Sequence, residues 1–177
     1  MSSAEKVRLV RPSAEYREPY IAFYKEWIDS GEPMVPWVIR KDPSDFDAML
    51  DFLYSQDSEE KLIDSLWVPH STYWLIDGQE NVIGAVNIRH RLNEKLLLSG
   101  GHIGYGIRPS ARRKGYATVQ LELALRKARE LGIGSVLVVC DRNHIGSEKT
   151  IRNNGGRFDS EVTEEDGSIV KRFWIDP

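Results

Sequence analysis

The distribution of apolar and polar residues predicts a helical first third of the chain. Val7–Val10 alternates with charged residues and predicts a strand that Pro12 ends. From Glu15 to about Ser30, apolar residues recur at spacings of three and four, which predicts an amphipathic helix that Gly31 terminates. One face of this helix is aromatic and apolar: Tyr16, Tyr20, Phe23, Tyr24, Trp27 and Ile28. Such a stripe is more typical of a buried core than of a binding surface.

A second helix is predicted after the proline-containing loop Glu32–Trp37. Ser44 is its expected N-cap, and acidic residues follow in the first turn, where the helix dipole favours them. A short third helix is predicted near Glu59–Leu66, and Pro69 closes this helical portion.

The remainder of the chain alternates between strands and helices. The nearly all-apolar run Ser135–Cys140 predicts a strand that is covered on both faces. A short irregular or helical connection is expected at Asn93–Ser99. The predicted strands are Thr72–Ile76, Val82–Arg89, His102–Arg108, Ser135–Cys140, Arg157–Val162 and Ile169–Trp174, and the predicted helices are Gly115–Leu131 and Ile145–Asn154.

Composition restricts the class of protein. A chain of 177 residues with 41% hydrophobic content predicts a single domain over residues 1–177. The net charge of −3 opposes binding to nucleic acid or to an anionic membrane. The apolar runs are too short to span a membrane, and the single cysteine, Cys140, fits a reducing compartment. We therefore expect a cytoplasmic protein. We also expect it to be either a monomer or a homodimer.

The segment after Ile103–Ile107 carries the strongest functional signal. This strand ends at Arg108-Pro109, and a basic loop containing Gly115 then leads into a long helix. Unpaired N–H groups of a first helical turn and the helix dipole attract anions, and a glycine allows the backbone to approach them closely. The sequence therefore predicts a phosphate site in the loop Arg112-Arg113-Lys114-Gly115-Tyr116-Ala117.

The pattern Arg-x-x-Gly-x-Ala in this position resembles the pyrophosphate-binding motif of the GNAT family of N-acetyltransferases. The resemblance extends over roughly Val7 to Ile175 and is most specific from His102 to Gly156. It implies an α/β fold (α+β mixed), with a central mixed sheet of about seven strands flanked by helices. It further implies a helical acceptor-side segment at about residues 13–68 and a coenzyme-binding core at about residues 102–156.

The resemblance implies acetyl-CoA as a co-substrate and no metal. The expected activity is direct transfer of an acetyl group to a primary amine of a small molecule or peptide in a ternary complex. The residues expected to bind the coenzyme are Ile107, Arg108, Arg112, Arg113, Lys114, Gly115, Tyr116, Ala117, Thr118, Asn143 and Ser147. The residues expected to line the acceptor site are Trp27, Glu32, Trp37 and Asn87.

Two catalytic roles are expected on the strand before the loop. By resemblance, the Ile107 N–H binds the acetyl carbonyl, and a bulge leaves N–H and C=O groups open to the pantetheine arm. His102 lies where one branch of the family has a catalytic glutamate, and a neutral imidazole can accept a proton. The alternatives are a structural His102, or a base supplied by Glu26 or Glu32. His90 and Asn87 could also face the cleft.

The sequence departs from the family at the expected thiolate-protonating tyrosine. Asn143 or His144 and then Ser147 occupy the preceding motif positions, but Thr150 or Ile151 stands at the tyrosine position. Water, Tyr105 or Tyr116 would have to supply the proton, unless no acid is needed. This departure keeps open the alternative of a non-catalytic, acetyl-CoA-binding regulatory module.

Overall fold

The structure is a computed structural model that describes residues 6–62 and 67–177. The strands are β1 Arg8–Val10, β2 His70–Ile76, β3 Val82–Arg89, β4 Ile103–Ile107, β5 Val136–Asp141, β6 Arg157–Thr163 and β7 Ile169–Ile175. The helices are α1 Arg17–Ser30, α2 Phe46–Ser55, α3 Tyr116–Glu130 and α4 Ile145–Asn153. Short 3-10 turns occupy Ala14–Tyr16, Trp37–Arg40, Glu59–Lys61 and Pro109–Ala111, and a π-helical turn occupies Leu96–Gly100.

The seven strands form two antiparallel sheets with the orders β1-β2-β3-β4 and β5-β7-β6. The predicted α/β fold of seven strands flanked by helices is confirmed, although the expected central sheet is divided between β4 and β5. These two strands meet where the His102 N–H donates to the Leu137 carbonyl, 2.7 Å away. No ladder continues between β4 and β5 in the described ranges, so an open edge of β4 lies beyond this contact.

Helices cover both faces of the first sheet. On one face α1 and α2 pack their aromatic side chains, and Tyr20 stacks on Trp74 of β2 with ring centroids 4.2 Å apart. On the other face α3 buries Leu121 and its neighbours against β3, β4 and β5. The aromatic stripe is therefore core, except for Ile28 at the end of α1, which is exposed.

The differences from the predicted boundaries have local causes. The N-cap of α2 is Asp45 and not Ser44, because the Asp45 carboxylate accepts from the Ala48 N–H at 3.0 Å while Ser44 donates to Asp42. Of the helix predicted near Glu59–Leu66, the structure shows the 3-10 turn at Glu59–Lys61, and residues 63–66 lie outside the described part.

Two glycines of β4 bring the loop after α1 into direct contact with the sheet. A Cβ atom at Gly106 would lie 2.1 Å from the Val35 carbonyl oxygen and 2.8 Å from Cη2 of Trp27. A Cβ atom at Gly104 would lie 3.3 Å from Cβ of Pro36. The loop therefore lies on the backbone of β4, close to its open edge.

We predict that Gly106→Ala lowers the free energy of unfolding by about 1–3 kcal/mol, because the added methyl group must displace backbone. Urea denaturation followed by tryptophan fluorescence measures this change. Gly134→Ala is the matched control, since a Cβ atom there meets nothing within 4 Å. Equal stability of the two variants would contradict the described contact.

Candidate active site

The loop before α3 has the geometry of an anion-binding site. Gly115 is the N-cap of α3 with φ 85° and provides no side-chain cap, and Arg113 also has a positive φ of 60°. The Val119 N–H makes the first bond back to Gly115, so the N–H groups of the preceding turn remain at the helix entrance. Left-handed positions that alternate with ordinary ones turn successive N–H groups toward one concave surface. The backbone of Tyr116, Ala117 and Thr118 is therefore suited to bind phosphate.

The basic residues of this region separate into two groups. Arg113 and Lys114 are exposed, and within the described residues neither forms an ion pair. Arg108, in contrast, turns toward α1 and donates to the Val82 carbonyl at 3.1 Å and to Glu26 at 3.1 Å. The side chain of Tyr116 is buried in the core, so only its backbone is available to a ligand. The Arg108 side chain and the Tyr116 ring thus turn away from the N-terminus of α3.

Glu26 of α1 fastens the start of the loop. Its carboxylate accepts from the Ser110 N–H at 2.9 Å, from the Ser110 hydroxyl at 2.8 Å and from Arg108. Burial alone would raise the pKa of Glu26, but the hydrogen bonds from Ser110 and Arg108 outweigh it and lower the pKa. A carboxylate with three donors and a lowered pKa is a poor proton acceptor, which disfavours Glu26 as the base.

The Arg112 side chain is also engaged away from the N-terminus of α3. Its Nε–H donates to the Ile107 carbonyl at 3.0 Å, and Nη1 lies 2.6 Å from the Glu32 carboxylate. The guanidinium carbon lies 5.4 Å from the centroid of the Trp27 ring. Two of the expected acceptor-side residues, Trp27 and Glu32, are therefore brought together by Arg112.

The hydrogen-bond alternation of β4 defines what its open edge presents. The backbone N–H of Arg108 donates to the Ile83 carbonyl, and the backbone N–H of Arg89 donates to the His102 carbonyl. The register between β3 and β4 is continuous. Alternate residues of an antiparallel strand point to opposite neighbours, so the N–H groups of Tyr105 and Ile107 point away from β3. The expected bulge is absent from this register, and the Ile107 carbonyl is not free, because it accepts from Arg112.

His102 joins the two sheets where β4 and β5 meet. Its ring Nδ1 accepts a hydrogen bond from the Leu137 N–H at 2.9 Å. The backbone N–H of His102 in turn donates to the Leu137 carbonyl. Burial, reinforced by the Arg89 guanidinium, lowers the pKa of His102 to about 4. The neutral ring therefore carries its proton on Nε2, and its one lone pair is already occupied. This geometry favours the structural role of His102 over that of a base.

Tyr105 crosses from β4 to the start of α4. Its hydroxyl lies 2.8 Å from the Ser147 hydroxyl, and burial raises the pKa of Tyr105 to about 12.

Both candidates for the missing tyrosine position, Thr150 and Ile151, are buried. Asn143 is exposed in the loop before α4, and His144 caps that helix by accepting the Ser147 N–H. Of these residues, Tyr105 alone carries a phenol, and its hydroxyl lies at the start of α4.

The other two expected acceptor-side residues meet around a histidine that the sequence analysis missed. The Asn87 amide lies 2.8 Å from Nδ1 of His70, and the rings of Trp37 and His70 are 5.4 Å apart. Burial and the Arg89 guanidinium lower the pKa of His70 to about 4, so this buried cluster is neutral at pH 7. No motif marks His70, and only the alternation of β2 could have indicated that it lies on this face.

The structure offers no alternative metal centre or membrane segment among the residues it describes. In residues 6–62 and 67–177, no group of three or more His, Cys, Asp or Glu side chains could hold a metal ion. Across the same ranges, no helix is long and apolar enough to cross a membrane.

We predict that Glu26→Gln lowers the free energy of unfolding by about 1 kcal/mol at pH 7, because the charged acceptor of Ser110 and Arg108 is lost. The folded-state pKa is below the ordinary 4.5, so this stabilisation is complete above that value and is lost as the pH falls through the lowered pKa. Denaturation at pH 7 and at about pH 3 should show a larger difference at pH 7 than at pH 3.

The control for this prediction is Glu122→Gln, which removes an exposed pair with Arg126 and should change stability little. A stability loss in Glu26→Gln that is the same at both pH values would contradict the assignment.

Solved acetyltransferase structures resemble the whole chain. Mycobacterium smegmatis RimJ in complex with CoA-disulfide has a TM-score of 0.71 at 16% identity, covering 98% of this chain and 83% of that one. The microcin C7 self-immunity acetyltransferase in complex with acetyl-CoA and AMP has a TM-score of 0.68 at 14% identity, with 98% and 93% covered. Spermidine N-acetyltransferase from Vibrio cholerae has a TM-score of 0.65 at 17% identity, with 97% and 94% covered.

At these identities the likeness shows the fold. No curated protein matches the sequence. The family model described as an acetyltransferase (GNAT) domain matches residues 7–157, which include the helical portion, the first sheet, the phosphate loop and β5. The chain belongs to the GNAT acetyltransferase family.

Proposed function

We propose that the protein is an acetyl-CoA-dependent N-acetyltransferase that transfers acetyl directly to a primary amine of a small molecule or peptide in a ternary complex. The observation that carries the proposal is the single unit formed by the open edge of β4 and the phosphate loop. The Ile107 N–H points into the gap beside β4, and the loop begins directly after that residue. The donor for an acyl oxygen thus lies at the end of β4, and the proposed phosphate anchor lies in the loop that follows it.

The coenzyme would be held chiefly by backbone and by two side chains. The N–H groups of Gly115 to Thr118 face the diphosphate, and Arg113 and Lys114 add charge-assisted bonds. These residues fit a diphosphate because they are exposed and lack competing ion pairs among the described residues. Asn143 and Ser147, at the start of α4, remain candidates for contacts along the pantetheine arm.

The proposed transfer step uses the N–H groups of β4 as an oxyanion hole. Negative charge develops on the acyl oxygen during attack, and a fixed N–H stabilises it without reorganising. Ile107 supplies this donor, and the Tyr105 N–H points the same way. The amine nitrogen bonds the acyl carbon and the C–S bond breaks, so the acetyl group moves from sulfur to nitrogen. Tyr105 is the candidate to protonate the leaving thiolate, and the proton that the nitrogen loses after attack passes through water to restore the phenol.

The acceptor amine would enter already neutral. His102 has its lone pair engaged, Glu26 has three donors, and Glu32 is paired with Arg112. We therefore assign no side chain the role of base, and the amine loses its proton to water before attack. The acceptor site is proposed along the loop Glu32–Trp37, with Trp27 and Glu32 at one end and Trp37 and Asn87 at the other.

The proposal also covers the domain organisation, the location and the partners of the protein. Residues 1–177 form a single domain, in which the acceptor-side segment is about 13–68 and the coenzyme core about 102–156. The reaction needs no metal, and the protein acts in the cytoplasm as a monomer or homodimer, without a nucleic-acid or membrane partner.

A non-catalytic acetyl-CoA-binding regulatory module is the second candidate. The absence of a tyrosine at Thr150 and Ile151 favours it, together with the engaged state of His102. Thiol release in the presence of a panel of amines and amino acids separates the two functions, because a regulatory module binds acetyl-CoA without turnover.

We predict that Lys114→Glu raises the Kd of acetyl-CoA at least about tenfold, because a charge-assisted phosphate contact becomes a repulsion. Calorimetric titration measures this change. Arg126→Glu, which changes the net charge equally from an exposed position on α3, should leave Kd nearly unchanged. Absence of acetyl-CoA binding by the unaltered protein would overturn the proposed function.

We also predict that His102→Asn keeps kcat/KM within about threefold, since Asn can still accept the Leu137 N–H, whereas loss of a general base typically costs about 100-fold or more. His102→Ala should instead lower stability, because it leaves that N–H unpaired in a buried position. The measurements are kcat/KM against pH and urea denaturation. Equal inactivity of both variants at unchanged stability would restore His102 as the base.

A further inference from the structure

We propose that Arg112, although it is the first residue of the phosphate-loop motif, acts as a positioning residue for the acceptor side and not as a phosphate ligand. It ties the loop Glu32–Trp37 to the end of β4. This inference deepens the proposed function and rests on it for the identity of the acceptor site, whereas the tie itself is a property of the protein alone.

The guanidinium of Arg112 is used in three directions. Its Nε–H donates along the open edge of β4 to the Ile107 carbonyl, and Nη1 reaches the Glu32 carboxylate. Its carbon lies 5.4 Å from the Trp27 ring centroid. The planar fork of arginine can satisfy a carbonyl, a carboxylate and a ring together, which the point charge of lysine cannot.

Among the described residues, the side-chain contacts of Arg112 are with the proposed acceptor side and the end of β4. Arg113 and Lys114, the next two residues, are exposed and have no such contacts within the described residues. If the guanidinium of Arg112 turned toward the N-terminus of α3 to bind phosphate, it would leave a backbone hydrogen bond, an ion pair and an aromatic contact. Its two neighbours give up none of these, so they are the preferred phosphate ligands.

The ion pair between Arg112 and Glu32 is not sufficient by itself. The two side chains are 40% and 46% exposed, and exposed pairs of this kind contribute little stability. The bond to the Ile107 carbonyl fixes the guanidinium in place, so Glu32 meets a donor that is already oriented. The loop is held further along, where Trp27 Nε1–H donates to the Pro33 carbonyl at 3.0 Å and Val35 lies on Gly106.

The tie changes the role expected for Glu32. Its charge is balanced by Arg112, so Glu32 bridges to the loop motif and does not attract an acceptor ammonium. Arg112 also bonds the carbonyl of the residue whose N–H is proposed to receive the acetyl oxygen. Its removal should therefore affect both the binding of the amine and the transfer step, while the phosphate anchor stays intact.

The test compares four variants of the full chain: Arg112→Ala, Arg112→Lys, Lys114→Ala and Arg157→Ala. The last removes an exposed ion pair with Asp176, remote from the loop in the fold, as a control for loss of one charge. Three quantities are measured: the Kd of acetyl-CoA by calorimetry, amide hydrogen exchange of residues 32–37, and kcat/KM for the amine with the highest rate in the panel.

We expect Arg112→Ala to speed exchange at Glu32 and Met34 and to lower kcat/KM for the amine, each about tenfold, with the Kd of acetyl-CoA changed less than about twofold. Arg112→Lys should show smaller changes in exchange and in kcat/KM than Arg112→Ala, but should not reach the values of the unaltered protein. Lys114→Ala should raise the Kd of acetyl-CoA and leave exchange in the loop unchanged, and Arg157→Ala should change none of the three quantities.

An increase of the acetyl-CoA Kd in Arg112→Ala as large as that in Lys114→Ala overturns the proposal, and so does unchanged exchange at Glu32 and Met34. If the unaltered protein binds no acetyl-CoA, the proposed function fails, and the exchange measurement still decides whether Arg112 holds the loop.

Discussion

Strand β4 is bonded to β3 along one edge and meets β5 only at its start, and this one-sided pairing governs the rest of the site. Every second N–H group of β4 donates a hydrogen bond to β3. The N–H groups between them therefore point into the gap between β4 and β5. His102 and Leu137 close the gap at one end by two hydrogen bonds. At the other end Pro109, which has no N–H, and the phosphate loop prevent the sheet from continuing. The loop after α1 and the basic loop before α3 therefore meet at one break in the sheet.

The charged residues around this break are organised by their partners and not by their order in the chain. Arg108, Arg112, Arg113 and Lys114 lie within one short segment, yet the first two turn to carboxylates of α1 and its following loop. Glu26 and Glu32 thereby neutralise the part of the basic cluster nearest α1 and the loop after it. The remaining two cations stay with the N-terminus of α3, where helix dipole and backbone N–H groups already favour an anion. The separation gives each side of the break its own electrostatic character.

The titratable groups at the break are held in neutral or engaged states. Burial keeps His102 and His70 neutral, and it keeps Tyr105 protonated. A histidine whose lone pair accepts a backbone N–H stabilises a junction between sheets but has nothing with which to take a proton. The raised pKa keeps the Tyr105 phenol protonated but also makes it a weaker acid. His102, His70 and Tyr105 thus each keep one protonation state at neutral pH.

The sequence by itself determined the order of elements, the buried faces of α1 and α3, and the strand–loop–helix unit around Gly115, because these depend on periodicity and on local backbone preferences. Hydrophobic spacing shows which residues are buried, but not which partner a long polar side chain selects. The tertiary structure alone decided that Arg112 binds Glu32, that His102 accepts from Leu137 and that His70 lies beside Asn87. It also decided that the first sheet ends at β4, which pairs with β3 but forms no ladder with β5. These contacts join residues far apart in the chain, and their geometry arises only when the strands and helices have packed.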